Sequence, residues 1–117
     1  MKVAVTSQGV ELNSPIDPRF GRAKYFLVVD TETDEVRAVD NTMNLNIAQG
    51  AGIQSGRTVI ELGAEAVITG HVGPKAFDTL LAGRISVFTG AEGTVANAIE
   101  QFRAGNLDIA QSATRVP

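Results

Sequence analysis

The sequence predicts an α/β domain in which helices cover a mixed β-sheet. Three strand-like apolar runs come first, and after residue 50 helical and strand-like segments alternate. A connection that contains a helix joins parallel strands, whereas a short polar connection joins antiparallel ones. A chain of 117 residues with 44% hydrophobic content has the size of one domain with one core. We therefore expect a single domain over residues 1–105.

The first strand is predicted over Lys2 to Ser7, where the chain enters an apolar run at once. Pro15 and Pro18 lie in the polar loop that follows, and proline interrupts both helices and central strands. Lys24 to Thr31 and Glu35 to Asn41 are the second and third strands, and the three polar residues between them have the length of a hairpin connection. These two strands should pair antiparallel.

The first helix is predicted to run from residue 50 to Gly63, because Ile53, Gly56 and Ile60 share one face. Gly63 has the position of a helix stop. Glu65 to Thr69 is short and almost wholly apolar, as expected of a buried strand.

The second helix should begin at Pro74, since proline suits a first helical turn. Arg84 to Thr89 is the fifth predicted strand. Thr94 can cap a third helix that ends before Gly105, and residues 106–117 are expected to form a flexible tail.

The predicted element order is βββαβαβα, and a five-stranded sheet of order 3-2-1-4-5 with three helices satisfies the rules of connection. That arrangement resembles the ribonuclease H-like fold. It places a crevice at the carboxyl ends of the first and fourth strands. Ser7 to Asn13, Gly50 to Gly52 and Gly70 to Lys75 could converge there. The first strand carries no acid to hold divalent ions, so nuclease activity is not expected.

Composition excludes several classes of function. The chain has no cysteine and one histidine, so the usual ligands of soft metals are nearly absent. A net charge of -3 argues against attraction of the whole surface to nucleic acid or anionic lipid. No run approaches the roughly 18 apolar residues of a membrane span. We expect a cytoplasmic monomer.

Two segments are candidates for an anion site. Arg19, Arg22 and Lys24 surround a Phe-Gly turn, where their charges either bind an anion or balance nearby acids. The run from Gly50 through Ala51 to Gly52 opens the first helix. Its glycines either allow close packing or leave backbone N–H groups open to an anion.

Further candidate residues lie in two loops. His71 occupies a connection between a strand and a helix, where it could contact a ligand, but one histidine does not build a metal site. Lys75 follows at the helix start, although lysine there is more often solvated. Asn46 lies in the loop from Thr42 to Gly52, which has no clear periodicity.

Several motifs together resemble one known family over nearly the whole chain. They are MKVAVTS, SPIDPRFGRAKYFLVVD, GAGIQSG, GHVGPKAFDTL and GTVANAIEQFRAGNL. The family is that of dinitrogenase iron-molybdenum cofactor biosynthesis, which includes NifX-like proteins and the C-terminal part of NifB. The resemblance implies a ribonuclease H-like fold, no nuclease activity, and a role in holding or delivering a metal-sulfur cofactor.

Two departures from the family pattern bear on the ligand. Many members have histidine where this chain has Arg19, and many carry histidines in the loop that here runs from Asn41 to Gln49. Loss of both favours a preassembled anionic cluster that brings its own sulfide ligands. Some members carry a mixed molybdenum-copper sulfide cluster without covalent attachment, and this is the cofactor we expect.

The sequence therefore predicts a protein that stores or delivers a metal-sulfur cluster and is not an enzyme. The alternative is a metal-free interaction or regulatory domain that docks a partner, such as a P-loop ATPase of the MinD/Mrp type suggested by the resemblance. A nucleotide or phosphate binder is a third interpretation.

Overall fold

The strands and helices follow one another in the predicted order. The computed structural model describes residues 1–47 and 49–113. The elements are β1 (Lys2–Ser7), β2 (Tyr25–Asp30), β3 (Val36–Asp40), a 3-10 turn (Thr42–Asn44), α1 (Ala51–Glu61), β4 (Ala66–Ile68), α2 (Pro74–Ala82), β5 (Ser86–Thr89), α3 (Val95–Arg103) and β6 (Asp108–Ile109).

The sheet order confirms the predicted arrangement and extends it by one strand. It reads β3-β2-β1-β4-β5-β6, with β1 antiparallel to β2 and parallel to β4. The sixth strand lies in the segment 106–117 that was expected to be a tail, and Ile109 pairs with Phe88 of β5. A strand of two exposed residues shows no apolar alternation, so periodicity could not predict it. Residues 114–117 of the expected tail lie outside the described residues.

Two apolar layers hold the helices on the sheet. Val59 of α1 and Leu80 of α2 pack with Phe26 on one face, whereas Val95 of α3 packs with Leu27 on the other. The alternation of Phe26 and Leu27 is that of a central strand buried on both faces. Within the part of the chain that the structure describes, no helix has the length and apolar character needed to cross a bilayer.

The aromatic residues beside the Phe-Gly turn differ in burial. Phe20 and Phe26 are almost fully buried, and their ring centroids are 5.5 Å apart, so both are core residues. Tyr25 is only partly buried because it stands at the first position of β2, where the strand pattern opens to solvent.

Candidate functional site

A cavity of about 580 Å³ opens where the Phe-Gly turn meets the starts of α1 and α2. Its lining residues are Arg19, Phe20, Gly21, Arg22, Gln49, Gly50, Ala51, Gly52, His71, Gly73, Pro74, Lys75 and Ala76. The cavity lies beyond the carboxyl end of β4, close to the predicted crevice. No aspartate or glutamate occurs among these described residues, whereas Arg19, Arg22 and Lys75 carry positive charge.

A second cavity of about 330 Å³ lies at the opposite end of the central strands. Lys2 and Arg37 line it together with Asp30 and Glu35. The mixed charges give it no preference for an anion, so the larger cavity is the candidate site.

The Phe-Gly turn is held in place by Asp17. The buried carboxylate of Asp17 accepts hydrogen bonds from the backbone N–H groups of Arg19 and Lys24, each at 3.3 Å. Thr6 Oγ1, at the end of β1, donates to the Asp17 carbonyl at 2.7 Å. The turn is therefore closed into a loop and attached to the sheet.

The same turn pairs with the segment after β4. The His71 N–H donates to the carbonyl of Pro18 at 2.7 Å, and the Phe20 N–H donates to the carbonyl of His71 at 3.1 Å. This short bridge places His71 beside Arg19 at one wall of the cavity.

Both helices that begin at the cavity lack side-chain caps. Gly50 precedes α1 and Gly73 precedes α2; neither start has a side-chain capping hydrogen bond or an acid in its first turn. By contrast, Thr94 and Asn97 cap α3 with a reciprocal capping box. Uncapped N–H groups and the helix dipole give a helix start a partial positive charge. Two such starts face one cavity, an arrangement that suits an anion.

Glycines let the three segments meet through their backbones. A Cβ atom placed on Gly21 would lie 2.9 Å from the Cα and N atoms of Gly52. One placed on Gly52 would lie 2.9 Å from the Cβ of Ala76 on α2. Gly52 therefore allows close packing, as one interpretation of the glycine run predicted, and the same helix start lines the cavity.

The Arg22 guanidinium contacts the loop between β3 and α1. Nη1 donates to the carbonyl of Leu45 at 2.9 Å and of Asn44 at 3.5 Å, and Nη2 donates to that of Ile47 at 2.9 Å. Arg22 thus lines the cavity while its side chain binds backbone carbonyl groups. Carbonyl acceptors are not specified by residue type, so the sequence could not indicate these contacts.

The predicted site residues are brought together only in part. Seven line the cavity: Arg19, Arg22, Gly50, Ala51, Gly52, His71 and Lys75. Lys24 is exposed outside it and contributes a backbone N–H to the turn, because the chain is already entering β2. Asn46 is exposed on the loop and does not line the cavity.

Two further expectations about the crevice need correction or extension. The segment from Ser7 to Asn13 does not reach the cavity; its Leu12 carbonyl instead accepts from Ala96 N at 2.8 Å, at the start of α3. Gln49 and Gly73 line the cavity but were not predicted. Gln49 directly precedes the predicted site residue Gly50, and Gly73 directly precedes Pro74, where the second helix was predicted to begin. This adjacency was the signal from which the two lining residues could have been predicted.

The donor set suits a ligand that carries its own metal ligands. Within residues 1–47 and 49–113, no group of three or more His, Cys, Asp or Glu side chains could hold a metal ion. The cavity offers cationic side chains and backbone N–H groups, which bind anions rather than metal centres.

Fold and cavity together define a ribonuclease H-like α/β domain with a cavity at the carboxyl end of a parallel strand, lined by cationic side chains and two helix starts. The chain belongs to the dinitrogenase iron-molybdenum cofactor family, whose sequence model matches residues 1–105. This confirms the resemblance to the NifX-like proteins.

Solved structures of relatives share the whole fold. The apo form of the orange protein from Desulfovibrio gigas is similar with a TM-score of 0.95 and 39% identity, over 97% of this chain and 96% of that one. A NifB-like protein from Thermotoga is similar with a TM-score of 0.86 and 37% identity, over 99% and 98% of the two chains.

A relative is also found by sequence. An uncharacterized protein of Methanocaldococcus jannaschii is 28% identical over 99 residues, which are 82% of this chain and 83% of that protein.

Proposed function

We propose that this protein binds an anionic metal-sulfur cluster in the cavity, without covalent attachment, and stores or delivers it rather than catalysing a reaction. One observation carries the proposal: two helix starts without side-chain caps and three cationic side chains surround a cavity whose described lining has no acid. Membership of the iron-molybdenum cofactor family supports a metal-sulfur ligand.

The chemistry of the lining favours a complete cluster over free metal ions. Soft metals such as copper select thiolate or sulfide ligands, and the chain has no cysteine. A molybdenum-copper sulfide brings those ligands itself and presents negative charge to the protein. Backbone N–H groups of α1 and α2 and the side chains of Arg19, His71 and Lys75 would then hold it. A volume of about 580 Å³ is within the range of small-molecule sites.

The test is uptake of a cluster by the empty protein. We expect protein mixed with tetrathiomolybdate and copper to retain both metals on gel filtration and to acquire charge-transfer absorption in the visible range. Copper alone should not be retained, because the chain lacks thiolates. Elution of the protein free of both metals would contradict the proposal.

Two further measurements separate the rival functions. A phosphate or nucleotide binder would show a rise in melting temperature with those ligands and none with tetrathiomolybdate. A metal-free docking domain would show neither effect and would instead co-elute with a P-loop ATPase of the MinD/Mrp type.

A further inference from the structure

The two arginines of the Phe-Gly turn have different surroundings. Within the described part of the chain, the exposed Arg19 guanidinium makes no hydrogen bond or ion pair. The partly buried Arg22 guanidinium instead donates to three carbonyl groups of one loop. Residues of the same type, three positions apart, thus have distinct environments at one cavity.

We infer that Arg22 is a positioning residue of the anion site, which acts by holding segment 44–47 rather than by its charge on the anion. The inference rests on the proposed function. Segment 44–47 precedes in sequence Gln49 and Gly50, which line the cavity at the start of α1. If this segment is held in place, the backbone N–H groups at the start of α1 are held in one direction.

The loop needs such an attachment because few other contacts among its described residues hold its middle. Asn44 Nδ2 donates to Asn41 Oδ1 at 2.7 Å, and the 3-10 turn Thr42–Asn44 has no buried residue. Leu45 and Ile47 are only half-buried, and Asn46 is exposed. A segment with few buried apolar contacts opens at low free-energy cost unless polar contacts restrain it.

The backbone of Arg22 is itself fixed on both sides. Ser55 Oγ of α1 donates to the Gly21 carbonyl at 2.9 Å, and Asn41 Nδ2 donates to the Ala23 carbonyl at 2.8 Å. Ser55 and Asn41 are both buried. The guanidinium therefore extends from a rigid turn and can hold the loop in one position.

The geometry requires an arginine and not merely a cation. The planar guanidinium reaches the Leu45 and Ile47 carbonyls through two different nitrogens, each at 2.9 Å. A lysine ammonium is a single point charge and does not reproduce that fork. Arg22→Lys therefore preserves the charge and removes the geometry, which makes it the decisive variant.

The test compares Arg22→Lys and Arg22→Ala with Arg19→Lys and Arg19→Ala. Amide hydrogen exchange is measured first on the empty protein, at Leu45 and Gln54, whose N–H groups donate to Thr42 and Gly50 carbonyls. Both Arg22 variants should speed exchange there by about tenfold, the size expected from losing one or two hydrogen bonds. The Arg19 variants should leave exchange unchanged.

Amides of α3, such as that of Asn97, serve as an internal reference because no residue of this helix lines the cavity and the helix packs on the opposite face of the sheet from α1. Loss of global stability would speed exchange at Asn97 as well, whereas release of the loop would not. Unchanged loop exchange in Arg22→Ala, or parental exchange in Arg22→Lys, would overturn the inference.

Retention of the thiomolybdate-copper cluster is the second measurement. Arg22→Lys should lose retention about as much as Arg22→Ala, whereas Arg37→Lys, at the second cavity, should retain cluster as the parent does. Equal retention by Arg22→Lys and the parent would assign Arg22 a charge role and overturn the inference. Failure of the parent to take up cluster would overturn the proposed function alone, since the exchange comparison uses empty protein.

Discussion

Asn41 Nδ2 lies 3.2 Å from Ser55 Oγ, and this buried contact joins the end of β3 to the middle of α1. Asn41 Nδ2 also donates to the Ala23 carbonyl, and Asn41 Oδ1 accepts from Asn44 Nδ2 at 2.7 Å. One amide therefore connects the sheet, the Phe-Gly turn, the loop and a helix.

We predict that Asn41→Ala lowers the free energy of unfolding by about 2 to 3 kcal/mol, because it leaves the buried Ala23 carbonyl without its donor. Urea denaturation measures the change. The matched control is Asn46→Ala, which removes the same amide from an exposed position and should cost less than about 0.5 kcal/mol. Equal losses in the two variants would contradict a special role for the buried amide.

Close packing at Gly52 gives a second prediction. Gly52→Ala places a methyl group 2.9 Å from Ala76 Cβ, so α1 and α2 must separate, and we expect a loss of about 1 to 3 kcal/mol. Gly73→Ala is the control, since a Cβ atom there meets nothing within 4 Å. Thermal unfolding of the two variants should show the larger decrease in melting temperature for Gly52→Ala. A greater decrease for Gly73→Ala would be incompatible with this packing.

A third prediction concerns direct charge at the proposed site. Arg19→Ala should weaken cluster retention by about three- to tenfold at low salt and by much less at high salt, because salt screens exposed charges. Arg37→Ala is the control: it changes net charge equally but lies at the second cavity. Retention is measured by gel filtration over a series of salt concentrations. An effect of Arg37→Ala as large as that of Arg19→Ala would point to net charge rather than to the site.

Acid should loosen the start of the loop. The Thr42 hydroxyl donates to Asp40 Oδ1 at 2.6 Å, and the Thr42 N–H donates to the same oxygen at 2.7 Å. These hydrogen bonds, the one from the hydroxyl foremost, hold the pKa of Asp40 below its ordinary value of 3.8. A lowered pKa in the folded state stabilises the protein above pH 3.8, and this contribution is lost as pH falls through the folded value.

The matching variant is Asp40→Asn, which removes the charge from an exposed position. The urea midpoints of parent and variant should differ at neutral pH and converge as pH falls below 3.8. A difference that stays constant down to acid pH would show that ionised Asp40 does not contribute in this way.

Periodicity and turn residues were sufficient to predict β1 to β5, the three helices and the sheet order. Most of these elements bury at least one face, whereas the largely exposed β3 was predicted from the hairpin connection that precedes it. The strand Asp108–Ile109 was missed because it is short and exposed. The cavity lining was predicted where glycines and cations mark helix starts, as at Gly50 and Lys75.

The contacts of Arg22 could not be predicted, since its acceptors are backbone carbonyl groups. Lys24 was placed with the site because it continues the run of cations after Arg22, but it stands at the entrance to β2 and is exposed. Sequence thus locates charges near a site, while the course of the backbone decides which of them face it.

The pairing of Asp108–Ile109 with β5 has a consequence for assembly. An open sheet edge offers unpaired N–H and C=O groups to another chain and is a template for aggregation. β6 covers part of the β5 edge, and Phe102 packs edge-on against Phe88 beneath it, with ring centroids 5.1 Å apart. At the other edge, β3 carries Arg37 and ends in Asp40, charges that discourage strand addition. Each margin of the sheet thus has a feature that disfavours edge-to-edge association: a strand of two residues at one margin and charged side chains at the other.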